Sequence, residues 1–250
     1  MLTVSDFFCG CGGLSQGFKE AGFKIKTGID FNKSFLETYA HNFPEASVLN
    51  LDLGKDKFLK EIPYSEVIIG GPPCQGFSLT GPRNIDDPRN QLYLSIFKTL
   101  KIMKPKAFLI ENVRGLMTMW NGQVFKEIIK KFESVGYNVA FQLVNSADYG
   151  VPQIRHRVFI VGIKKELNKN YQFPNKEFKK EEYVSCFEAI GNVPSLEKDL
   201  KQSSLAYKKK PSTKFQKYVM DSNKLYNHEA TAHKDFVKKT IALVPEGGNY

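Results

Sequence analysis

An α/β fold, with a mostly parallel twisted sheet and helices on both faces, is predicted for this 250-residue chain by two observations. Through the first two thirds, short apolar runs alternate with stretches whose apolar residues recur at helical spacing, the pattern of strands joined by helices. Acids, glycines and a cysteine then stand directly behind the apolar runs, and in open α/β sheets ligands sit beyond the carboxyl ends of the strands. The architecture is Rossmann-like, of the nucleotide-binding kind. Hydrophobic residues make up 42% of the chain, enough for the core of one domain of about 150 to 200 residues with an extension.

The first strand is placed at Leu2–Phe8, followed by the glycine turn CGCGG and a helix at Leu14–Ala21. The second, Lys24–Asp30, ends in an acid and leads to a helix at Lys33–Asn42, with a short third strand at Ser47–Leu49. Glu66–Ile69 is the fourth, closed by the stretch GGPPCQGFS, and Gln91–Met103 is the next helix. A fifth strand at Ala107–Glu111 and a helix at Gly122–Val135 precede strands at Asn138–Asn145 and Arg157–Ile163. After Ile163 the texture changes: KKELNKNYQFPNKEFKKEEY is charged and loop-like, and SLEKDLKQSSLAYKKKPSTK reads as an exposed linker or basic loop. Helices are expected near Val184–Ile190, Thr213–Asp221 and Ala232–Leu243, so the chain divides into a domain over 1–163 and a basic helical extension over 164–250.

Composition narrows the class. No apolar run approaches the roughly 20 residues of a membrane span, and MLTVSDFFCGCGG has no basic segment before its apolar residues, so a soluble, cytoplasmic protein is expected. Cys9, Cys11, Cys74 and Cys186 are too few and too irregular for a disulfide framework or a four-ligand zinc site; reduced thiols and no metal are expected. The formal charge is +10, and it is unevenly spread: residues 1–163 hold 19 Lys and Arg against 15 Asp and Glu, residues 164–250 hold 17 against 11. A denser positive C-terminal third is what a nucleic-acid-facing edge looks like, although lysine-rich solvated helices look similar.

The strand ends carry the chemistry. Asp6 closes the first, and Gly10, Gly12 and Gly13 behind it let the backbone turn tightly and approach a ligand at a helix N-terminus. Asp30 closes the second, where an acid can bind ribose hydroxyls, and Asp52 in LNLDLG closes the third. Each acid alone reads equally well as a helix N-cap; three in succession are harder to dismiss. Cys74 follows the fourth strand behind Gly70, Gly71, Pro72 and Pro73, surroundings far more rigid than a core thiol needs. In AFLIENV, Glu111 stands behind four apolar residues, where partial burial would raise its proton affinity. Arg155 and Arg157 occupy alternate positions at the start of the seventh strand and so share one face. Singly these are a small buried thiol, a capping acid and a surface pair; jointly they describe a nucleotide shelf, a nucleophile, an acid and two fixed cations.

The blocks DFFCGCGGLSQGF, GGPPCQGFS, DPRNQLY, ENVRGL and NSADYGVPQIRHRVFIVG resemble, in order over about the first 163 residues, the motifs of the S-adenosylmethionine-dependent DNA (cytosine-5)-methyltransferases. The resemblance implies a catalytic and cofactor-binding domain at 1–163 and methyl transfer to carbon 5 of a flipped-out cytosine in double-stranded DNA, as the modification enzyme of a restriction-modification system. It assigns Cys74 as the nucleophile that attacks carbon 6, Glu111 as the acid at ring nitrogen 3, and Arg157 and Arg155 as cations on the base. For S-adenosylmethionine it implies Phe8, Gly10, Gly12 and Gly13 around the methionine and adenosine, Asp30 at the ribose, Asp52 with Leu92 at the adenine, and Phe31, Leu53 and Pro72 as further cofactor-binding residues. Asp30 replaces the more usual glutamate, and Cys9 replaces a small residue. Gln75, Ser78, Arg83 and Arg89 would face DNA from a loop that closes over it.

Members of this family normally continue past Gly248 into a target-recognition domain and two further motifs, which residues 164–250 do not resemble. A second polypeptide carrying them is therefore expected as a partner, with a truncated fragment as the alternative. Rival functions are an RNA (tRNA) cytosine methyltransferase on the same scaffold and a non-catalytic DNA-binding subunit. A nicotinamide dehydrogenase is more distant, because CGCGGLSQG lacks the GxGxxG spacing.

Overall fold

The computed structural model describes residues 1–55, 59–73, 92–194, 204–207, 209–220, 224–226, 228 and 232–245. They fall into two compact units, one formed by Met1–Tyr149 and Ile154–Lys179, the other by Gly150–Gln153 and Lys180–Tyr250.

In the first unit the strands are β1 (Thr3–Phe7), β2 (Lys24–Asp30), β3 (Ser47–Asn50), β4 (Val67–Gly70), β5 (Ala107–Val113), β6 (Tyr137–Asn145) and β7 (His156–Lys164). Between them run α1 (Gly13–Glu20), α2 (Lys33–Asn42), α3 (Tyr93–Met103), the single turn α4 (Gly115–Thr118) and α5 (Gln123–Ser134). The sheet order is β3-β2-β1-β4-β5-β7-β6. Pairing is parallel from β3 through β5, and β7 runs antiparallel to both of its neighbours. The predicted mostly parallel α/β sheet is thus the observed one.

Strand alternation sorts the core into two layers. Phe7, Ile29, Ile68, Phe108, Ile110, Val158 and Ile160 face one side, packed with Ile96 and Leu100 of α3 and Phe125, Ile128 and Phe132 of α5. Val4, Ile25, Val67 and Ile69 face the other, with Leu36 and Tyr39 of α2 and Phe43 behind it. One irregularity matters for the site. The β1–β2 register steps from Val4↔Ile25 to Ser5↔Thr27, leaving Lys26 as a bulge. After it, Phe7 pairs with Ile29, so Asp30 emerges just past the end of β1, beside the glycine turn.

Expected boundaries of strands and helices hold to within a few residues, with two corrections of substance. Strand β5 continues to Val113, because Asn112 and Val113 still pair with Val158 and Arg157, so Glu111, expected as the last residue of this strand, has two strand residues beyond it. The segment read as a linker contains β8 (Ser204–Ala206), paired antiparallel with β9 (Lys224–Tyr226) in the second unit. Three residues are too few to display a period of two.

The second unit also holds α6 (Cys186–Ile190), α7 (Lys214–Val219) and α8 (Asp235–Ala242). Ser185 with Glu188, and Thr213 with Gln216, form capping boxes at α6 and α7, and the Thr213 hydroxyl donates to the Glu188 carbonyl at 2.7 Å, tying the two helices. Among the described residues no helix is long and apolar enough to cross a membrane.

Candidate active site

At the carboxyl end of β1 the chain turns through left-handed backbone at Phe8 (φ 58°), Gly10 (φ 52°) and Gly12 (φ 95°). Gly12 is required twice over: its φ is hostile to L side chains, and a Cβ there would run into the Phe43 ring. At Gly10 and Gly13 a Cβ would meet nothing within 4 Å, so the turn is open where a ligand would approach the α1 N-terminus.

Asp6 is fully buried at this end of β1. The Ser15 hydroxyl donates to Asp6 Oδ2 at 2.7 Å, and the Tyr39 hydroxyl, 2.7 Å from Ser15 Oγ, completes a buried chain. Asp6 Oδ1 has no hydrogen-bond partner among the described residues. Burial pushes the Asp6 carboxyl up to about 7; the Ser15 hydrogen bonds pull the other way, and Asp30 nearby adds like-charge repulsion. Cys9 packs into the smaller core layer, where burial first, then the charges of Asp6 and Asp30, push its thiol far above the ordinary range. That accounts for Cys9: it is a protonated packing residue.

Asp30 ties three segments together. Its Oδ2 accepts from Gly10 N at 3.0 Å and its Oδ1 from Asn32 N at 2.9 Å, while its carbonyl accepts from Leu51 N at 3.1 Å and Asn50 Nδ2 at 3.1 Å. The cap of α2 is Asn32, whose Oδ1 accepts from Ser34 N and Phe35 N, which removes the capping reading of Asp30. Phe31 beside it is 69% exposed, a flat apolar surface at the rim. Asp52 lies two residues beyond β3, with Oδ1 accepting from Gly54 N at 3.0 Å and Oδ2 3.4 Å from Lys55 Nζ. A Cβ on Gly54 would sit 3.1 Å from Asp52 Oδ1 and 3.3 Å from Leu92 Cδ2, so Asp52 and Leu92 are neighbours. Leu53 is a core residue, 2% exposed.

The second half of the site lies where β4, β5 and β7 meet. Glu111 Oε1 receives Arg157 Nε at 2.9 Å and stands 4.0 Å from Arg155 Nη2. Burial raises the Glu111 carboxyl above its ordinary value, and Arg157 and then Arg155 hold it back. Gly71 passes so close that a Cβ there would stand 3.4 Å from Glu111 Oε2. Asn112, 4% exposed, donates from Nδ2 to the Pro72 carbonyl at 3.2 Å and accepts Val113 N on Oδ1 at 2.8 Å. The strand that carries the acid thereby fixes the chain two residues before Cys74. Cys74, Gln75, Ser78, Arg83 and Arg89 lie outside the described residues.

Of the expected site residues, the structure brings Phe8, Gly10, Gly12, Gly13 and Asp30 together at the ends of β1 and β2, Asp52 with Leu92, and Pro72 with Glu111, Arg155 and Arg157. The sequence reading missed the amides that hold these groups: Asn32, Asn50, Asn112 and Asn145. Their common signal is an asparagine within two residues of a strand end.

The donor set suits S-adenosylmethionine. An unpartnered buried carboxylate oxygen on Asp6 can take an ammonium, the open glycine turn leaves space at a helix N-terminus, and Phe31 offers an aromatic face. Among the described residues no group of His, Cys, Asp or Glu could hold a metal ion.

Comparison with known proteins agrees with this arrangement. The profile of the C-5 cytosine-specific DNA methylase family matches residues 2–245. The type II methyltransferase M.DdeI of Desulfomicrobium norvegicum is 38% identical over 98% of this chain and 61% of its own length. M1.HphI, a type II methyltransferase of Haemophilus parahaemolyticus, is 35% identical over 99% of this chain and 62% of its own. Among solved structures, a prophage-encoded E. coli protein assigned as a DNA modification methyltransferase superposes with a TM-score of 0.76 at 28% identity, covering 98% of this chain and 76% of that one. The chain therefore spans about three fifths of the length of these two curated relatives. They carry their further length in the same polypeptide, which gives the expected second polypeptide no support. By fold, motif order and family profile, this chain belongs to the C-5 cytosine-specific DNA methylases.

Proposed function

We propose that this chain carries the cofactor-binding and catalytic half of a DNA cytosine-5 methyltransferase that serves a restriction-modification system, as its type II relatives are named. The observation that carries the reading is Glu111: a half-buried acid with raised proton affinity, clasped by Arg157 and set against the backbone leading into Cys74.

Bound over the β1 and β2 ends, S-adenosylmethionine supplies an activated methyl group. Asp6 and the Gly10–Gly13 turn receive its amino-acid end, Asp30 the ribose hydroxyls, and Phe31, Asp52 and Leu92 the adenine. Asp30 spends one lone pair of each oxygen on backbone amides and keeps the others for hydroxyl donors.

Cytosine carbon 5 is a poor nucleophile, and the cytosine must first leave the duplex to be reached at all. The Cys74 thiolate adds to carbon 6, forming a sulfur–carbon bond and moving the ring's π electrons toward carbon 5 and nitrogen 3. Protonated Glu111 donates to nitrogen 3 and offsets that charge, while Arg157 and Arg155 hold the base oxygen. After methyl transfer, a base removes the carbon 5 proton; the electron pair re-forms the double bond and expels the thiolate.

The test is to incubate the full chain with labelled S-adenosylmethionine and either duplex DNA or tRNA, then with DNA containing 5-fluorocytosine, in which the proton to be removed is replaced. Label in DNA and a covalent adduct that survives denaturation support the reading. Label in tRNA alone assigns the RNA activity, and no adduct with any substrate overturns the covalent mechanism.

A further inference from the structure

Arg155 lies just before β7 and outside its ladder with β5, yet its guanidinium reaches to 4.0 Å from Glu111. What holds it is the end of β6. Asn145 Oδ1 accepts Arg155 N at 3.1 Å, and the Arg155 carbonyl accepts from Ser146 N at 2.9 Å and Ser146 Oγ at 3.3 Å. The peptide groups on both sides of the Arg155 Cα are therefore fixed. The Asn145 amide also donates from Nδ2 to Asp148 Oδ1 at 3.4 Å and accepts Ala147 N at 3.5 Å. Asp148 is in turn anchored: it is 4% exposed, pairs with Lys176 Nζ at 2.8 Å, and its carbonyl accepts Glu177 N at 3.0 Å and Phe178 N at 3.1 Å.

We propose that Asn145 is a positioning residue for Arg155, linking the anchored Asp148 turn to the peptide that aims the second guanidinium at Glu111. The inference rests on the catalytic reading of Glu111 and the arginines. An asparagine suits the place because one group must accept a backbone N–H and donate to a carboxylate. Aspartate would set a second carboxylate against Asp148, and alanine would leave the Arg155 amide without this acceptor. The Arg155 side chain is 46% exposed, so a released backbone lets the guanidinium move into water.

Two measurements on the full chain separate this inference from the catalytic reading. The first is the carboxyl titration of Glu111 by NMR, in wild type, Asn145→Ala, Arg155→Ala and the double variant. Burial, Arg157 and Arg155 set that titration, so withdrawal of Arg155 moves the midpoint to higher pH. The expected result is an upward move of equal size in both single variants and no further move in the double. A midpoint unchanged in Asn145→Ala but raised in Arg155→Ala overturns the proposal, as does no change in either. The second is kcat for methyl transfer, where both single variants are expected to lose about tenfold and the double no more than the worse single. Multiplying losses overturn it. If Asn145→Ala fails to fold, near-isosteric Asn145→Asp replaces it: activity recovering as the pH falls, when the new carboxyl can donate to Asp148 again, supports the proposal, and a flat deficit overturns it. A wild type inactive on every substrate sinks the catalytic reading, while the titration still decides the placement of Arg155.

Discussion

Raising the pH from about 5 to about 8 should destabilise the protein through one carboxyl, Asp6. In the unfolded chain it titrates near the ordinary 3.8, and in the fold burial pushes it up to about 7. A raised native value means the fold binds this proton more tightly than the unfolded chain does. The stabilisation is complete below the unfolded value and is lost as the pH rises through the folded one. Between the two values each pH unit costs about 1.4 kcal/mol, so the full window amounts to about 4 kcal/mol, with no allowance for solvent screening because Asp6 is buried. Other carboxylates titrate over the same range, so the informative quantity is the difference between wild type and Asp6→Asn, which keeps an acceptor, can still meet the Ser15 hydroxyl, and does not ionise. Urea unfolding of both at about pH 5, 6, 7 and 8 gives that difference directly. The variant should gain on wild type by about 3 kcal/mol across the series. A difference that stays constant would refute the reasoning, because it would mean that Asp6 is either solvated or paired in the native protein.

Cys74→Ser should remove methyl transfer and the 5-fluorocytosine adduct while S-adenosylmethionine binding, followed by calorimetry, stays within a few-fold of wild type; equal transfer by the variant would remove the nucleophile assignment. Arg157→Gln should lower kcat about a hundredfold, the loss typical of a charge-stabilising donor. Because Arg157 holds the Glu111 carboxyl down, its removal should also move the high-pH limb of the rate profile to higher pH, as read from kcat against pH. Gly12→Ala, with its left-handed backbone and its Cβ driven into Phe43, should cost at least about 2 kcal/mol in thermal unfolding, with loss of cofactor affinity in the protein that remains folded.

The sheet was legible because its strands are buried on both faces and flanked by helices with clear apolar stripes; Val67, Ile68 and Ile69 admit little else. The positions of Asp30, Glu111, Arg155 and Arg157 followed from the same runs. Illegible were groups whose work is to hold others. Asn112 fixes the Pro72 carbonyl and Asn145 the Arg155 peptide across separations of 40 and 10 residues, and no local period announces such a pairing. The bulge at Lys26 was equally hidden, since one extra residue in a strand leaves the apolar pattern nearly intact. The β8–β9 pair failed for want of length.

Reversal of β7 decides whether the two halves of the site can meet. In a parallel sheet, functional groups gather at carboxyl ends, whereas Arg155 and Arg157 stand at the amino end of their strand, one just before it and one its second residue. Were β7 parallel, they would emerge at the far edge, a strand length from Glu111. Because β7 is antiparallel to β5, Arg157 pairs with Val113 and Phe159 with Glu111. That register sets Arg157 diagonally across from the acid on the same face, within reach of a long side chain. The arrangement needs a β6 that turns back on itself through a hairpin, and the Asn145–Arg155 bond sits at that hairpin's mouth. Chain reversal thus delivers cations to an edge where parallel topology supplies only the ends of β1 to β5, and the amide that closes the reversal fixes how close the second cation comes.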